Sequence, residues 1–200
     1  INIAIQGRTG LRILEVGSGY GDILIYLKSR GCKVVGTDPS PAAAAKAAES
    51  GIDVRVGELL DMGFPDQSFD VAFMSHSLEH VPDPNAELRE LHRVLLPGGL
   101  LHIAVPNGSA SRLITDGLYW DHLSHPSHFW YFDPDNLTRM VRRHGFELVA
   151  PIVTTSRHHA IGRWMAEIRT RGFVPSTKSL LRYFRTALYN FLLARHYGGQ

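Results

Sequence analysis

The sequence predicts an α/β domain built on a doubly wound, mainly parallel sheet, and three observations carry that expectation. Short β-rich runs alternate with helical patterns through the N-terminal half of the 200-residue chain. Those runs, such as "LRILEVG" and "FDVAFM", are continuously apolar instead of alternating, which suits strands covered by helices on both faces. A glycine-rich turn follows the first of them and an aspartate closes the second, both at strand ends that face the crevice where such sheets bind ligands.

The elements follow in order. "LRILEVG" is the first strand, Tyr20 to Ser29 the first helix, and "CKVVGTD" the second strand. Asp38-Pro39-Ser40-Pro41 then stops the strand and starts an alanine-rich helix, Ser40 to Glu49. "IDVRVG" and "FDVAFM" are strands three and four. Asp83 caps a helix that begins at Pro84 and reaches Leu95, where Pro97-Gly98-Gly99 turns the chain into "LLHIAVPN". From Asn107 to Phe132 regular patterning stops, and the stretch is crowded with histidines and aromatics; connections of this length are usually functional. A helix capped near Asp133 and ended by Gly145, then one more strand, restore order.

With 44% hydrophobic and 20% charged residues, the chain reads as a globular domain of ordinary core size. Two parts are expected, a domain over residues 1–156 and a basic helical extension or insertion over 157–200. Residues 1–156 hold 13 Lys and Arg against 18 Asp and Glu, whereas 157–200 hold 8 against 1. The tail bases are scattered along a helical pattern, so no nucleic-acid partner is expected. One cysteine, Cys32, excludes an internal disulfide and suits a reducing, cytoplasmic setting. No apolar run reaches the ~18 residues a membrane-spanning helix needs, and the opening "INIAIQGRTG" has no signal-peptide pattern, so the sequence reads as a fragment.

Chemistry concentrates at the strand ends. Glu15-Val16-Gly17-Ser18-Gly19-Tyr20-Gly21 is an E-x-G-x-G-x-G turn opening a helix, where glycines allow a sharp bend and close approach to a ligand. A nicotinamide fingerprint would place a third glycine where Asp22 stands. Asp38 lies about twenty residues further on, at a position suited to accept both ribose hydroxyls; alternatively it caps the helix that follows Pro39.

"LEVGSGYG", "GTDPSP", "GELLDMGFPDQSFD", "SLEHVPDPNAELRELHRVLLPGGLLHIAVPN" and "HGFELV", in that order over residues 11–150, resemble the class I S-adenosylmethionine-dependent methyltransferases, and within them the quinone-biosynthesis branch. The resemblance implies a Rossmann-like methyltransferase fold and S-adenosyl-L-methionine as cofactor. It implies that Glu15 orients the turn or meets the methionine ammonium, and that Gly17, Ser18 and Gly19 pass under the methionine and ribose. Asp38, with Pro39 beside it, would hold the ribose. Glu58, where the family usually has Asp, and Leu59 would flank the adenine, and Ser75 and His76 would line the methionine end. The family's final antiparallel strand has no convincing counterpart in 157–200, so the sheet is expected to lack it.

His76-Ser77-Leu78-Glu79-His80 also fits H-x-x-E-H, the zinc signature of inverted metallopeptidases. It follows a strand directly, and Pro82 and Pro84 come within four residues, so the uninterrupted helix that chemistry needs is excluded. Quinone-type relatives carry Glu-x-x-Glu-His here, with a divalent cation in some. This chain has His76 for the first Glu, and Glu79 and His80 are taken as hydrogen-bonding residues, with no metal centre expected. His76, His80, His125 and His128 are the candidate catalytic bases, and Trp120, His122, Trp130 and Tyr131 complete the expected acceptor wall.

The acceptor implied is a small or medium hydroxyl compound: a sugar, a phenol or quinone, or a lipid-linked glycan. A nicotinamide-dependent oxidoreductase or epimerase, and a non-catalytic cofactor-binding module, are the alternatives. Leu181, Phe184, Leu188, Phe191 and Leu192 recur at helical spacing, which predicts a tail helix over 177–195 that docks on the domain, on a second subunit or on an anionic membrane.

Overall fold

A computed structural model of the chain describes residues 8–108, 126–154 and 189–196. Seven strands form one sheet in the order β3-β2-β1-β4-β5-β7-β6. They are β1 (Arg12–Val16), β2 (Lys33–Asp38), β3 (Val54–Val56), β4 (Phe69–Ser75), β5 (Leu95–Pro106), β6 (Phe146–Thr154) and β7 (Tyr189–His196). The α-helices among the described residues are α1 (Asp22–Ser29), α2 (Pro41–Glu49), α3 (Pro84–Val94) and α4 (Pro134–Arg143). Pairing from β3 through β5 is parallel, and strand order reverses beside β1, so the crevice opens at the carboxyl ends of β1 and β4.

The continuous apolar runs behave as their composition requires. Leu14, Ala72, Met74, Leu101 and Ile103 are buried against Leu88 and Leu91 of α3, while Ile13, Val71 and Phe73 pack on Leu27 of α1 and on Cys32. Proline at the first helical position and an aspartate or serine before it start three helices: Ser40, Asp83 and Asp133 each accept N-terminal amides. Asp133 and Asn136 form a reciprocal capping box. α3 ends at Val94, one residue before the expected boundary. The residues around Pro97-Gly98-Gly99 bulge out of β5, whose register with β4 moves from Phe69↔Leu95 to Val71↔Leu100.

The expectation of a missing final strand is wrong. β7 lies antiparallel between β5 and β6, pairing Leu100↔Arg195 through Pro106↔Tyr189 on one side and Phe146↔His196 through Thr154↔Tyr189 on the other. Residues 189–195 therefore belong to the sheet and not to the predicted tail helix. "FLL" is too short an apolar run for periodicity to separate a buried strand from a helix. Two open strand edges that need backbone partners outweigh the helix preference of Leu, Ala and Arg. The remaining tail residues, with Leu181, Phe184 and Leu188, lie outside the described ones. Among the described residues no helix is long and apolar enough to cross a membrane.

Candidate functional site: a cleft at the ends of β1, β2 and β4

A cleft of about 240 Å³ opens where the sheet order reverses, lined by Gly17, Asp38, Glu58, His76, Ser77 and His80 among others. Its floor is the turn between β1 and α1. Gly17 and Ser18 donate their backbone N–H groups to the Thr37 carbonyl at 2.9 and 3.0 Å, which fastens the turn to the end of β2. Gly17 has φ +71°, and a Cβ there would stand 2.5 Å from Cβ of Ser77, so only glycine lets β1 and the turn after β4 meet. Gly19, at φ +53°, has nothing within 4 Å of the place a Cβ would take, which leaves an open cradle beside the turn.

Asp38 is held by backbone. Its Oδ2 accepts from Gly19 N–H at 2.8 Å and its Oδ1 from Ser40 N–H at 2.9 Å, so the carboxylate is locked at the rim with lone pairs to spare. Ser40, not Asp38, caps α2, its Oγ accepting from Ala43 N–H at 3.2 Å. Pro39 and Glu58 are exposed along the same cleft, Leu59 is fully buried behind it, and Ser75 is half-buried at the end of β4. Ser18 is buried under the turn, where its Oγ reaches Thr37 O at 3.4 Å.

Glu15 sits in β1 with 2% exposure, and among the described residues its Oε2 has no hydrogen-bond partner. Burial, reinforced by the Asp22 charge, pushes its carboxyl up to about 8. Sequence reasoning missed Glu87 on α3, also 2% exposed, whose carboxyl is pushed up to about 7 by burial and then by the charges of Glu58 and Glu90. It also missed Ser77, whose contact with Gly17 no local pattern announces.

The other wall begins where β4 ends. His76 has φ +57°, a left-handed conformation that costs a residue with a Cβ roughly 1–2 kcal/mol, and its N–H donates to Ala104 of β5 at 2.8 Å. Leu78–His80 make a single 3₁₀ turn, which confirms that no long helix carries the two histidines. Glu79 is 1% exposed, neither carboxylate oxygen has a hydrogen-bond partner among the described residues, and Oε1 lies 3.5 Å from His76 Nδ1. His80 Nδ1 faces the Ser127 carbonyl at 2.8 Å, and its ring meets that of His128 edge-on at 4.7 Å. One donor atom each of Glu79, His80 and His128 lies within 4.8 Å of the other two.

The segment after the long connection is tied to this turn. Phe129 N–H donates to Glu79 O at 2.9 Å and Trp130 Nε1–H to Val81 O at 2.8 Å, while Phe129, Trp130 and Tyr131 stay exposed. His76 and His80 thus line one cleft, and His128 packs on His80. His125, His122 and Trp120 lie outside the described residues.

Residues 3–150 match the family described as "methyltransferase domain". This chain is a class I S-adenosylmethionine-dependent methyltransferase by family. Among its relatives, a demethylmenaquinone methyltransferase from Thermus thermophilus is 39% identical over 109 residues, covering 50% of this chain and 49% of the relative. A ubiquinone biosynthesis O-methyltransferase from Ruegeria pomeroyi is 32% identical over 152 residues, covering 70% and 61%. The chain thus spans about half to three-fifths of the length of these relatives. Among solved structures, an S-adenosylmethionine-dependent methyltransferase from Mesorhizobium loti superposes with TM-score 0.70 at 20% identity, covering 94% of this chain and 92% of that one. Phosphoethanolamine N-methyltransferase 2 from Haemonchus contortus, in complex with S-adenosyl-L-methionine, gives 0.71 at 21%, covering 98% and 52%. At such identities the likeness is one of fold.

The methyltransferase cofactor fits the residues present. The open cradle at Gly19 and the fixed Asp38 carboxylate suit a ribose with two free hydroxyls, and the buried Glu15, whose Oε2 has no hydrogen-bond partner among the described residues, suits a nearby cation.

Proposed function

We propose that this methyltransferase transfers a methyl group from S-adenosylmethionine to a hydroxyl oxygen of a phenol- or quinone-type acceptor. The observation that carries it is one cleft lined both by the backbone-locked Asp38 and Gly17 of the turn and by His76 and His80. When bound, the cofactor supplies a methyl on a positively charged sulfur, already activated for displacement. The chain's own work is then alignment and exclusion of water. Asp38 holds the ribose, the turn carries the methionine, and Glu58 stands at the adenine end. Phe129, Trp130 and Tyr131, exposed on the segment tied to the turn that carries His80, offer aromatic faces to a flat acceptor. The relatives named for demethylmenaquinone and ubiquinone biosynthesis support the same acceptor class.

A labelled-methyl transfer screen over phenols and quinols, sugars and lipid-linked glycans, with products identified by mass, tests this. Methylated phenol or quinol is expected. Label found only in sugars or glycans overturns the acceptor class. Tight binding of S-adenosylhomocysteine with no transfer to any acceptor favours a non-catalytic binding module.

A further inference from the structure

We propose that His76 and Glu79 form a proton-accepting dyad on the acceptor side of the cleft, His76 as the general base and Glu79 as the residue that positions it. The inference rests on the methyl-transfer reading above and goes further by assigning the proton that a hydroxyl acceptor must lose.

Three observations converge. His76 lines the cleft with its side chain 44% exposed, on a left-handed backbone held in place by Ala104. Such an outlier persists only where its surroundings enforce it, and here it turns the imidazole of the residue directly after β4 into the cleft wall. Glu79, three residues on, is 1% exposed with neither oxygen hydrogen-bonded among the described residues, and a buried carboxylate needs a compensating positive charge or proton donor. Among the described residues a ring nitrogen each of His80 and His128 lies within 4.8 Å of a Glu79 oxygen, and His76 Nδ1 lies 3.5 Å from Oε1. That separation is an ion-pair contact and not a tight hydrogen bond, as is common before an acceptor arrives.

The carboxylate fixes the ring's chemistry. Facing Glu79, His76 keeps its proton on Nδ1 and presents Nε2 as the acceptor. In the transfer, the acceptor O–H bond breaks with its proton moving to Nε2 as the new O–CH₃ bond forms. The pair that joined the methyl to sulfur leaves with sulfur, whose positive charge is thereby cancelled. The imidazolium left behind is stabilised by Glu79. His80 also lines the cleft, but its Nδ1 faces the neutral carbonyl of Ser127, which stabilises a positive ring less than a buried carboxylate does. Among the described residues, the other charged or titratable groups around the pair are His128, packed on His80, and Asp38 and Glu58 along the same cleft.

The test compares two acceptors and two variants. His76→Asn keeps a residue that tolerates the left-handed backbone. It should lower kcat by about 10²–10⁴-fold on a neutral hydroxyl acceptor, and by under about tenfold on a nitrophenol already ionised at the assay pH. Affinity for S-adenosylhomocysteine should stay within about threefold. Glu79→Gln should cost about tenfold in kcat with KM nearly unchanged, and Glu79→Asp should recover much of it. Equal losses on both acceptors would overturn the base assignment, because a merely structural role strikes both alike. Ring-nitrogen NMR of His76 needs no acceptor: the Nδ1–H tautomer should dominate in the native chain and give way to a mixture in Glu79→Gln. An unchanged tautomer overturns the dyad. Activity lost to a chelator and restored by a divalent ion overturns it too, since Glu79 would then be occupied by the ion. A native chain that transfers no methyl counts against the methyl-transfer reading alone, and the tautomer comparison still decides the dyad. Should Glu79→Gln fail to fold, the two-acceptor comparison with His76→Asn decides by itself.

Discussion

The two walls of the cleft are built on different principles. The cofactor wall is backbone geometry closed over a short sequence distance: Gly19 and Asp38, 19 residues apart, meet because β1 and β2 are adjacent parallel strands in fixed register. The acceptor wall joins residues 47 and 49 apart, His80 to Ser127 and Trp130 to Val81, across a long connection, and its working parts are side chains. The first wall is therefore generic to any chain that keeps the glycines and the aspartate. In the function proposed above, substrate choice falls to the second, because long connections generally vary more than the strands they join.

The largest effect that would separate the walls is at Gly17. A methyl there meets Ser77 at 2.5 Å and forces alanine into a left-handed conformation. Gly17→Ala should lose about 2–5 kcal/mol of stability, combining roughly 1–2 for the backbone and 1–3 for overpacking. Thermal or urea unfolding measures it. Gly19→Ala should cost the fold only about 1–2 kcal/mol, since its methyl enters open space, yet should abolish cofactor binding by filling the cradle. If both variants lose stability equally, the cradle at Gly19 is not open.

Next comes Asp38→Ala, which removes two charge-assisted bonds, to Gly19 and Ser40, as well as the ribose contact proposed above. S-adenosylhomocysteine affinity should fall by about 1.5–3 kcal/mol, roughly ten- to 150-fold. Stability should fall as well, because the carboxylate holds the turn. Calorimetry and unfolding on the same sample separate the two. Unchanged affinity in a folded variant sinks the ribose assignment.

The same contrast explains what the sequence could reveal. The Gly17–Gly19 turn, Asp38 and the five-strand parallel core were legible because their signals are local: a glycine spacing, an acid at a strand end, apolar runs of strand length. β7 was not, since "YNFLLARH" becomes a strand only when β5 and β6 offer it edges on both sides. Ser77 under Gly17, Glu87 beside Glu58, and the clasp of Ser127 to Trp130 on the 3₁₀ turn depend on tertiary contact and leave no periodic trace. Glu15 stood out as the first acid of the turn motif, but its loss of any partner for Oε2 appears only in three dimensions.

The smallest predicted effect concerns that residue and draws the cofactor wall into a protonation experiment. In the folded chain the Glu15 carboxyl is protonated up to about 8, against 4.5 for an ordinary glutamate. Between those values the folded state holds one proton more than the unfolded state, so the stability linked to this site is complete at low pH and declines as pH rises toward 8. A cofactor ammonium approaching Glu15 favours the ionised form, so binding at pH 7 should expel close to one proton and should tighten as pH rises toward 8. Titration calorimetry in buffers of different ionisation enthalpy reads that proton directly. Glu15→Gln should abolish the release and flatten the pH dependence of S-adenosylhomocysteine affinity, while leaving the stability of the free chain equal or slightly greater at pH 8. If the native chain binds S-adenosylhomocysteine with no proton released at pH 7, Glu15 is not the partner of the ammonium, and its burial serves only to orient the turn.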